Sequence, residues 1–265
     1  MAENNPRAFG QGADHFVEIV EPLVGHQPDF GERVAASHCA AYSAVVTDPE
    51  TRLAGVYAAI AKASKLAGRP PEATTLIAVS KTKTADEVAP LIAAGQRDFG
   101  ENRVQEAQSK WPELIAQTPG IRLHLVGQLQ SNKADEAVAL FDVIHSVDRS
   151  SLITALAKAQ QKSARQLLYF IQVNIGDETQ KGGCSLGDVP ALLAAARAGA
   201  LNVVGLMAVP PAGREAAPFF ALLAKLARDL GLGQLSMGMS GDYETAVMLG
   251  ATHIRVGTAL FGERA

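Results

Sequence analysis

The sequence predicts an α/β protein built as a single (β/α)8 barrel of the TIM type. Three observations carry that expectation. From Leu76 onward, eight short apolar segments alternate with stretches of helical periodicity, the pattern of a parallel sheet covered by helices. Eight such units close a ring, and 265 residues is an ordinary length for one barrel domain. No Gly-x-Gly-x-x-Gly follows the first strand, which argues against a doubly wound dinucleotide-binding sheet.

Residues 1–48 stand apart from this pattern. They carry Pro6, Pro22 and Pro28, and their one apolar patch, Val17 to Val24, is broken by Glu18, Glu21 and Pro22. A loosely ordered extension is expected there, with the barrel spanning 49–265. Asp48 can cap a helix that has Pro49 at its first position. Leu53, Val56, Ile60 and Ala67 fall near one face of that helix, and Gly68 stops it. This helix is spare, and it is expected to fill the gap in the outer ring left by the last strand. Pro70-Pro71 then precede the first strand, Leu76 to Val79.

Thr84 and Glu87 form a capping-box pattern, followed by the stripe Val88, Leu91, Ile92 and a stop at Gly95. A short strand is expected at Asp98 to Glu101 and a helix from Arg103 to Gln117. Further strands read at Arg122–Gly127, Val143–Val147, Leu167–Ile175, Leu201–Val209, Gln234–Met239 and Thr252–Val256. Two of the helices between them show clear stripes. One is Val189, Leu192, Leu193 and Ala196, closed by Gly199; the other is Phe219, Leu222, Leu223, Leu226 and Leu230, closed by Gly231.

Composition excludes several classes. A net charge of −3 gives no basic field for nucleic acid. Cys39 and Cys184 have no metal-site or disulfide spacing, and the six histidines have no metal spacing either. No apolar run reaches the length of a membrane span. The N-terminus, Met1-Ala-Glu-Asn-Asn-Pro6, is not basic and leads into no long apolar stretch, so no secretory signal is expected. A cytoplasmic, monomeric protein without metal is the expectation.

The chemistry concentrates at strand ends. The first strand delivers Lys81 where its apolar run stops. That is the mouth of the core, where a neutral amine can bond an aldehyde. A snorkelling lysine is the plain alternative for this stretch alone. In barrels of this kind the loops after strands seven and eight often bind phosphate. Here they hold Ser236-Met-Gly-Met-Ser240, then Gly241 and Asp242, and Arg255-Val-Gly257-Thr258. Hydroxyls and bare N–H groups are what a phosphate dianion needs. An aldehyde-reactive lysine opposite a phosphate cup suggests pyridoxal 5′-phosphate. His124 and His145 lie on apolar strands and read as satisfied core histidines, and the methionines on strands and helices read as core filling.

The motifs also resemble a known family. Ala78-Val-Ser-Lys81-Thr-Lys83, Phe99-Gly-Glu-Asn102-Arg-Val-Gln-Glu106 and His124-Leu-Val-Gly127-Gln-Leu-Gln-Ser-Asn-Lys133 look like the YggS/PROSC family. So do Leu235-Ser-Met-Gly-Met-Ser240 and Ile254-Arg255-Val-Gly-Thr258-Ala-Leu-Phe-Gly262, and the match runs from about Arg52 to Arg264. These are pyridoxal-phosphate homeostasis proteins with one barrel like the N-terminal domain of alanine racemase. The resemblance implies that Lys81 forms the internal aldimine and that Ser240, Gly257 and Thr258 hold the phosphate. It implies that Arg255 faces the pyridine nitrogen, that Asn102 lies beside the ring, and that His124 and Gly127 sit near the mouth. Lys83 and Lys133 resemble family lysines to which no role is given.

The function implied is carriage and buffering of the cofactor, with pyridoxal-phosphate-dependent apo-enzymes as recipients. A racemase or another aldimine enzyme is the alternative, and a barrel enzyme acting on a different phosphorylated aldehyde is a third reading. Against racemisation, the second proton-transfer group is a tyrosine of a further domain in the racemases, and none of Tyr42, Tyr57, Tyr169 and Tyr243 matches it.

Overall fold

The computed structural model describes residues 48–262. The expectation for the N-terminal extension falls outside the described residues, apart from Asp48. That residue caps α1 (Pro49–Leu66): the Thr51 N–H and hydroxyl donate to its carboxylate at 3.0 and 2.7 Å. Gly68, at φ 64°, turns the chain out of the helix. The buried face of α1 is Leu53, Val56, Ile60, Ala63 and Ser64. Ala67, expected on that face, is only half-buried because it lies at the cap.

A turn at Pro71–Ala73 leads into β1 (Thr75–Val79), α2 (Ala85–Ala93), β2 (Asp98–Glu101) and α3 (Val104–Gln117). β3 (Arg122–Leu125), α4 (Ala134–Leu140), β4 (Val143–Val147) and α5 (Ser150–Ser163) follow. Then come β5 (Leu168–Val173), α6 (Val189–Ala198), β6 (Asn202–Ala208) and α7 (Ala217–Asp229). The chain finishes with β7 (Gln234–Ser236), α8 (Tyr243–Met248), β8 (His253–Val256) and α9 (Thr258–Phe261). All neighbouring strands pair in parallel, and β1 pairs with both β2 and β8, so the sheet is a closed eight-stranded barrel.

α1 packs against α2, α8 and α9 and so fills the outer ring beside β8, as expected. Arg69, just past α1, fixes this arrangement by donating to the carbonyls of Val247 and Ala251 at 2.8 and 3.1 Å. The main core lies between strands and helices, with Trp111, Phe99, Phe141 and Phe220 fully buried. Inside the ring, Val143, Phe170 and Met207 form a small separate apolar group.

The Thr84–Glu87 capping box forms as read: the Glu87 N–H donates to the Thr84 hydroxyl at 3.3 Å and the Thr84 N–H donates to the Glu87 carboxylate at 2.8 Å. Thr84→Ala is expected to cost about 1 kcal/mol in urea unfolding. An unchanged midpoint would show that the box adds nothing.

Beyond shifts of one or two residues at the ends of β3, β5, β6 and β8, three readings change. β7 ends at Ser236 rather than Met239, because Gly238 at φ 94° turns the strand aside. α7 buries Phe220, Leu223 and Ala227, while Leu222 is 40% exposed; the apolar face is rotated from the stripe expected. A short helix, α9, also follows β8 where none was expected.

Candidate cofactor site

The C-terminal ends of β1, β2, β7 and β8 open on one cleft of about 420 Å³. Lys81, Asn102, Ser240, Arg255, Gly257 and Thr258 all line it, with Val79, Val126, Val209, Met239 and Gly241. Barrel closure alone brings them together, since Lys81 and Thr258 flank strands that pair only because the ring shuts.

Lys81 sits on the turn after β1, half-buried. The turn is built tightly. Thr82 takes φ 66°, a conformation unusual for a β-branched residue. Its N–H donates to the Glu106 carboxylate on α3. Lys110, also on α3, donates to the carbonyls of Ser80 and Lys83, each at 2.8 Å. The same ammonium pairs with Glu101 at 2.7 Å, and both side chains are buried. Glu101 Oε1 also accepts from the Ser80 hydroxyl at 2.6 Å and the Trp111 indole at 2.9 Å. A buried ion pair therefore clamps the backbone on both sides of Lys81.

The cup on the far side is made by two loops. Ser240 Oγ accepts from the Gly257 and Ala259 N–H groups at 3.3 and 3.4 Å. A hydroxyl and two N–H groups thus converge beside Gly257 and Thr258, the set that a phosphate oxygen would meet. Asn102 comes from the end of β2. A side chain at Gly127 would collide with the Asn102 backbone, so the glycine permits the close approach of the two loops.

Arg255 projects from β8 into the ring. Its guanidinium donates to Ser236 Oγ at 2.7 Å and to the Ala208 carbonyl at 3.0 Å. Burial lowers its pKa to about 10, so it is a cation at neutral pH. An amine, a guanidinium and a hydroxyl-rich cup around one cleft match the three ends of pyridoxal 5′-phosphate: aldehyde, ring nitrogen and phosphate.

Other residues fall elsewhere. Lys83 pairs with Glu87 at 2.9 Å and does not line the cleft. Lys133 pairs with Glu136 at 3.0 Å and lines a neighbouring cleft with Arg103 and Gln128. His124 is fully buried inside the ring and does not line the mouth, contrary to the position implied for it. It bonds Asp98 and His145, each at 3.0 Å. His145 stacks on Phe170 with ring centroids 4.5 Å apart. His253, a third buried histidine, was not singled out from sequence, and neither were Asp98, Lys110 and Glu101. Burial holds all three histidines below their ordinary pKa, His253 at about 3. Among the described residues no cluster of metal-binding side chains occurs, and no helix is long and apolar enough to cross a membrane.

The fold and the cleft define a class, the alanine racemase-type barrels. The family model described as "Alanine racemase, N-terminal domain" matches residues 53–265. A pyridoxal phosphate homeostasis protein of Pseudomonas aeruginosa is 45% identical over 218 residues, covering 80% of this chain and 94% of its own length. One from Escherichia coli K12 is 39% identical over 231 residues, covering 83% of this chain and 98% of its own. Among solved structures, PipY of Synechococcus elongatus with PLP bound is 38% identical, with a TM-score of 0.70 over 81% of this chain and 100% of that one. Alanine racemase of Clostridium difficile shares the fold alone, at 10% identity and a TM-score of 0.59 over 78% of this chain and 56% of that one. The chain belongs to the pyridoxal phosphate homeostasis proteins, the YggS/PROSC family.

Proposed function

We propose that this protein binds pyridoxal 5′-phosphate and holds it for delivery to enzymes that need it. The observation that carries the reading is the convergence of Lys81, Arg255 and the Ser240–Gly257–Thr258 cup on one cleft. When bound, the cofactor supplies an aldehyde that an amine can bond and a ring that withdraws electrons. Lys81 is the amine that takes the aldehyde. Ser240, Gly257 and Thr258 bind the phosphate, Asn102 flanks the ring, and Arg255 faces the ring nitrogen. Two cysteines without disulfide spacing suit a cytoplasmic home.

Carriage without turnover is the reading favoured over an amino-acid racemase. Racemisation removes a proton on one face and returns it on the other, so it needs two positioned groups. Of the residues lining the cleft, only Lys81 and Arg255 are ionisable, and a guanidinium does not serve as a base near neutrality. Tyr57 and Tyr169 are committed elsewhere, to Gln96 and Gln160 at 2.8 and 2.9 Å. Tyr243 lies on α8, outside the cleft, and Tyr42 falls outside the described residues. A charged Arg255 also opposes protonation of the ring nitrogen, which weakens the ring as an electron sink.

The test loads the protein with cofactor and mixes it with a pyridoxal-phosphate-dependent apo-enzyme. The apo-enzyme is expected to gain activity, while L-alanine incubated with the loaded protein keeps its chirality on a chiral column. Turnover of about 1 s⁻¹ or more, lost in Lys81→Ala, would replace the carrier with an enzyme.

A further inference from the structure

Asp98, His124, His145, Ser236 and Arg255 make one unbroken line of hydrogen bonds through the inside of the barrel. Arg255 Nη1 meets Ser236 Oγ at 2.7 Å, and Ser236 Oγ meets His145 Nδ1 at 2.8 Å. His145 Nε2 meets His124 Nδ1 at 3.0 Å, and His124 Nε2 meets Asp98 Oδ1 at 3.0 Å. The line starts at the cofactor cleft and ends where β2 begins, beside Arg122, which holds Asp98 at 2.8 Å.

The two ends fix the direction of every bond. A guanidinium can only donate, and an ionised carboxylate can only accept. Burial alone would raise the Asp98 carboxyl, but the His124 hydrogen bond and the Arg122 charge outweigh it and hold it below its ordinary range. Asp98 takes the proton on His124 Nε2. Burial keeps that ring neutral, so its Nδ1 accepts from His145 Nε2–H. His145 is held neutral in the same way, so its Nδ1 accepts the Ser236 proton while Ser236 Oγ accepts from Arg255. Both rings are Nε2–H tautomers.

His253 lies outside the line although its ring is 5.9 and 6.2 Å from those of His145 and His124. Thr252 Oγ1 accepts from the Leu235 N–H at 2.9 Å and donates to the Leu235 carbonyl at 3.2 Å. His253 Nδ1 lies 2.9 Å from that oxygen and bonds no member of the line.

Among the described residues, no carboxylate touches the Arg255 guanidinium. Asp242 acts on it only through space; by hydrogen bonds it reaches an anion at Asp98, four bonds away, through polarised groups that cannot turn round while both ends keep their charge.

We propose that Ser236, His145, His124 and Asp98 are positioning residues for Arg255, aiming its guanidinium at the ring nitrogen of the bound cofactor. The aim at the ring nitrogen rests on the function proposed above; the line itself does not. Breaking it frees the guanidinium to turn. The ring nitrogen then loses a fixed cation, and the cofactor binds less tightly with a shifted absorbance.

The first test uses the full-length protein without cofactor. ¹⁵N spectra of the labelled histidines should show neutral Nε2–H tautomers for His124 and His145. Either line histidine as the other tautomer, or as an imidazolium at neutral pH, overturns the line. The second test uses Asp98→Asn, whose amide can donate as well as accept, and Ser236→Ala, which cuts the line beside Arg255. Both should speed hydrogen exchange of the Arg255 side chain in the unloaded protein about tenfold, and both should weaken cofactor binding by about the same factor. Unaltered exchange in both variants sinks the positioning role. Faster exchange with unchanged cofactor affinity and absorbance keeps the line but sinks its aim at the ring. Failure of the wild-type protein to capture the cofactor sinks the function proposed above and the aim with it, whatever the tautomers show.

Discussion

Lys81→Ala is expected to abolish covalent capture of pyridoxal 5′-phosphate. Two lysines compete for the role, separated by a single residue. Along a continuing strand they would share a face, but β1 ends at Val79 and Thr82 turns through φ 66°. Lys83 is thereby swung out to Glu87, 2.9 Å away, while Lys81 stays in the cleft. Lys110 is close by in space, yet it is buried behind the turn and committed to Glu101. Borohydride reduction followed by peptide mass spectrometry should place the adduct on Lys81 in the wild type. In Lys81→Ala it should fall to background, and the visible absorbance of the loaded protein should vanish. An adduct found chiefly on Lys83 in the intact protein would reverse the assignment.

The second large effect is on stability. Lys110→Met is expected to cost about 3–5 kcal/mol in denaturant unfolding, the range for removing one partner of a buried ion pair. Methionine replaces the aliphatic stem but leaves the Glu101 carboxylate buried without its counter-charge. Oε2 of that carboxylate already lacks a hydrogen-bond partner among the described residues. The clamp on Ser80 and Lys83 is lost in the same step, so cofactor affinity should fall too. Adding Glu101→Gln should restore part of the stability but not the clamp. A loss under about 1 kcal/mol in the single variant would mean that the pair carries little of the fold.

Most of the barrel was legible because its strands are buried on both faces and read as apolar runs. Phe99, Leu123, Ile144 and Phe170 mark four of them and are all fully buried. The phase of α7 was not legible. Phe219, Phe220, Leu222, Leu223 and Leu226 put apolar residues nearly all round it, and only packing selects Phe220 and Leu223. The end of β7 depended on a backbone angle at Gly238 that many sequences could have placed elsewhere.

Lys81 and the loops after β7 and β8 could be found because they stand where strands stop, and in a parallel barrel those ends share one rim, whereas Asn102 follows Asp98-Phe-Gly-Glu101 and came only from the family resemblance. The polar line could not. Its members are single inward residues on β2, β3, β4, β7 and β8, and Asp98 and Arg255 are 157 positions apart. Nothing along the chain marks which histidine faces which. The clamp on Lys81 was missed for a similar reason: Lys110 and Glu106 look like ordinary helix-surface charges until α3 is laid against the turn.

The closed ring has one more consequence. A sheet whose first strand also pairs with its last has no free edge to unzip. A cargo seated in its mouth is not let go by two halves parting. On the function proposed above, discharge would be governed by one covalent bond at the rim and by the traffic of water and amines that reach it. Such a protein would behave as a reservoir with a chemical tap, emptying as acceptors draw on it, with its timing written in reaction rates.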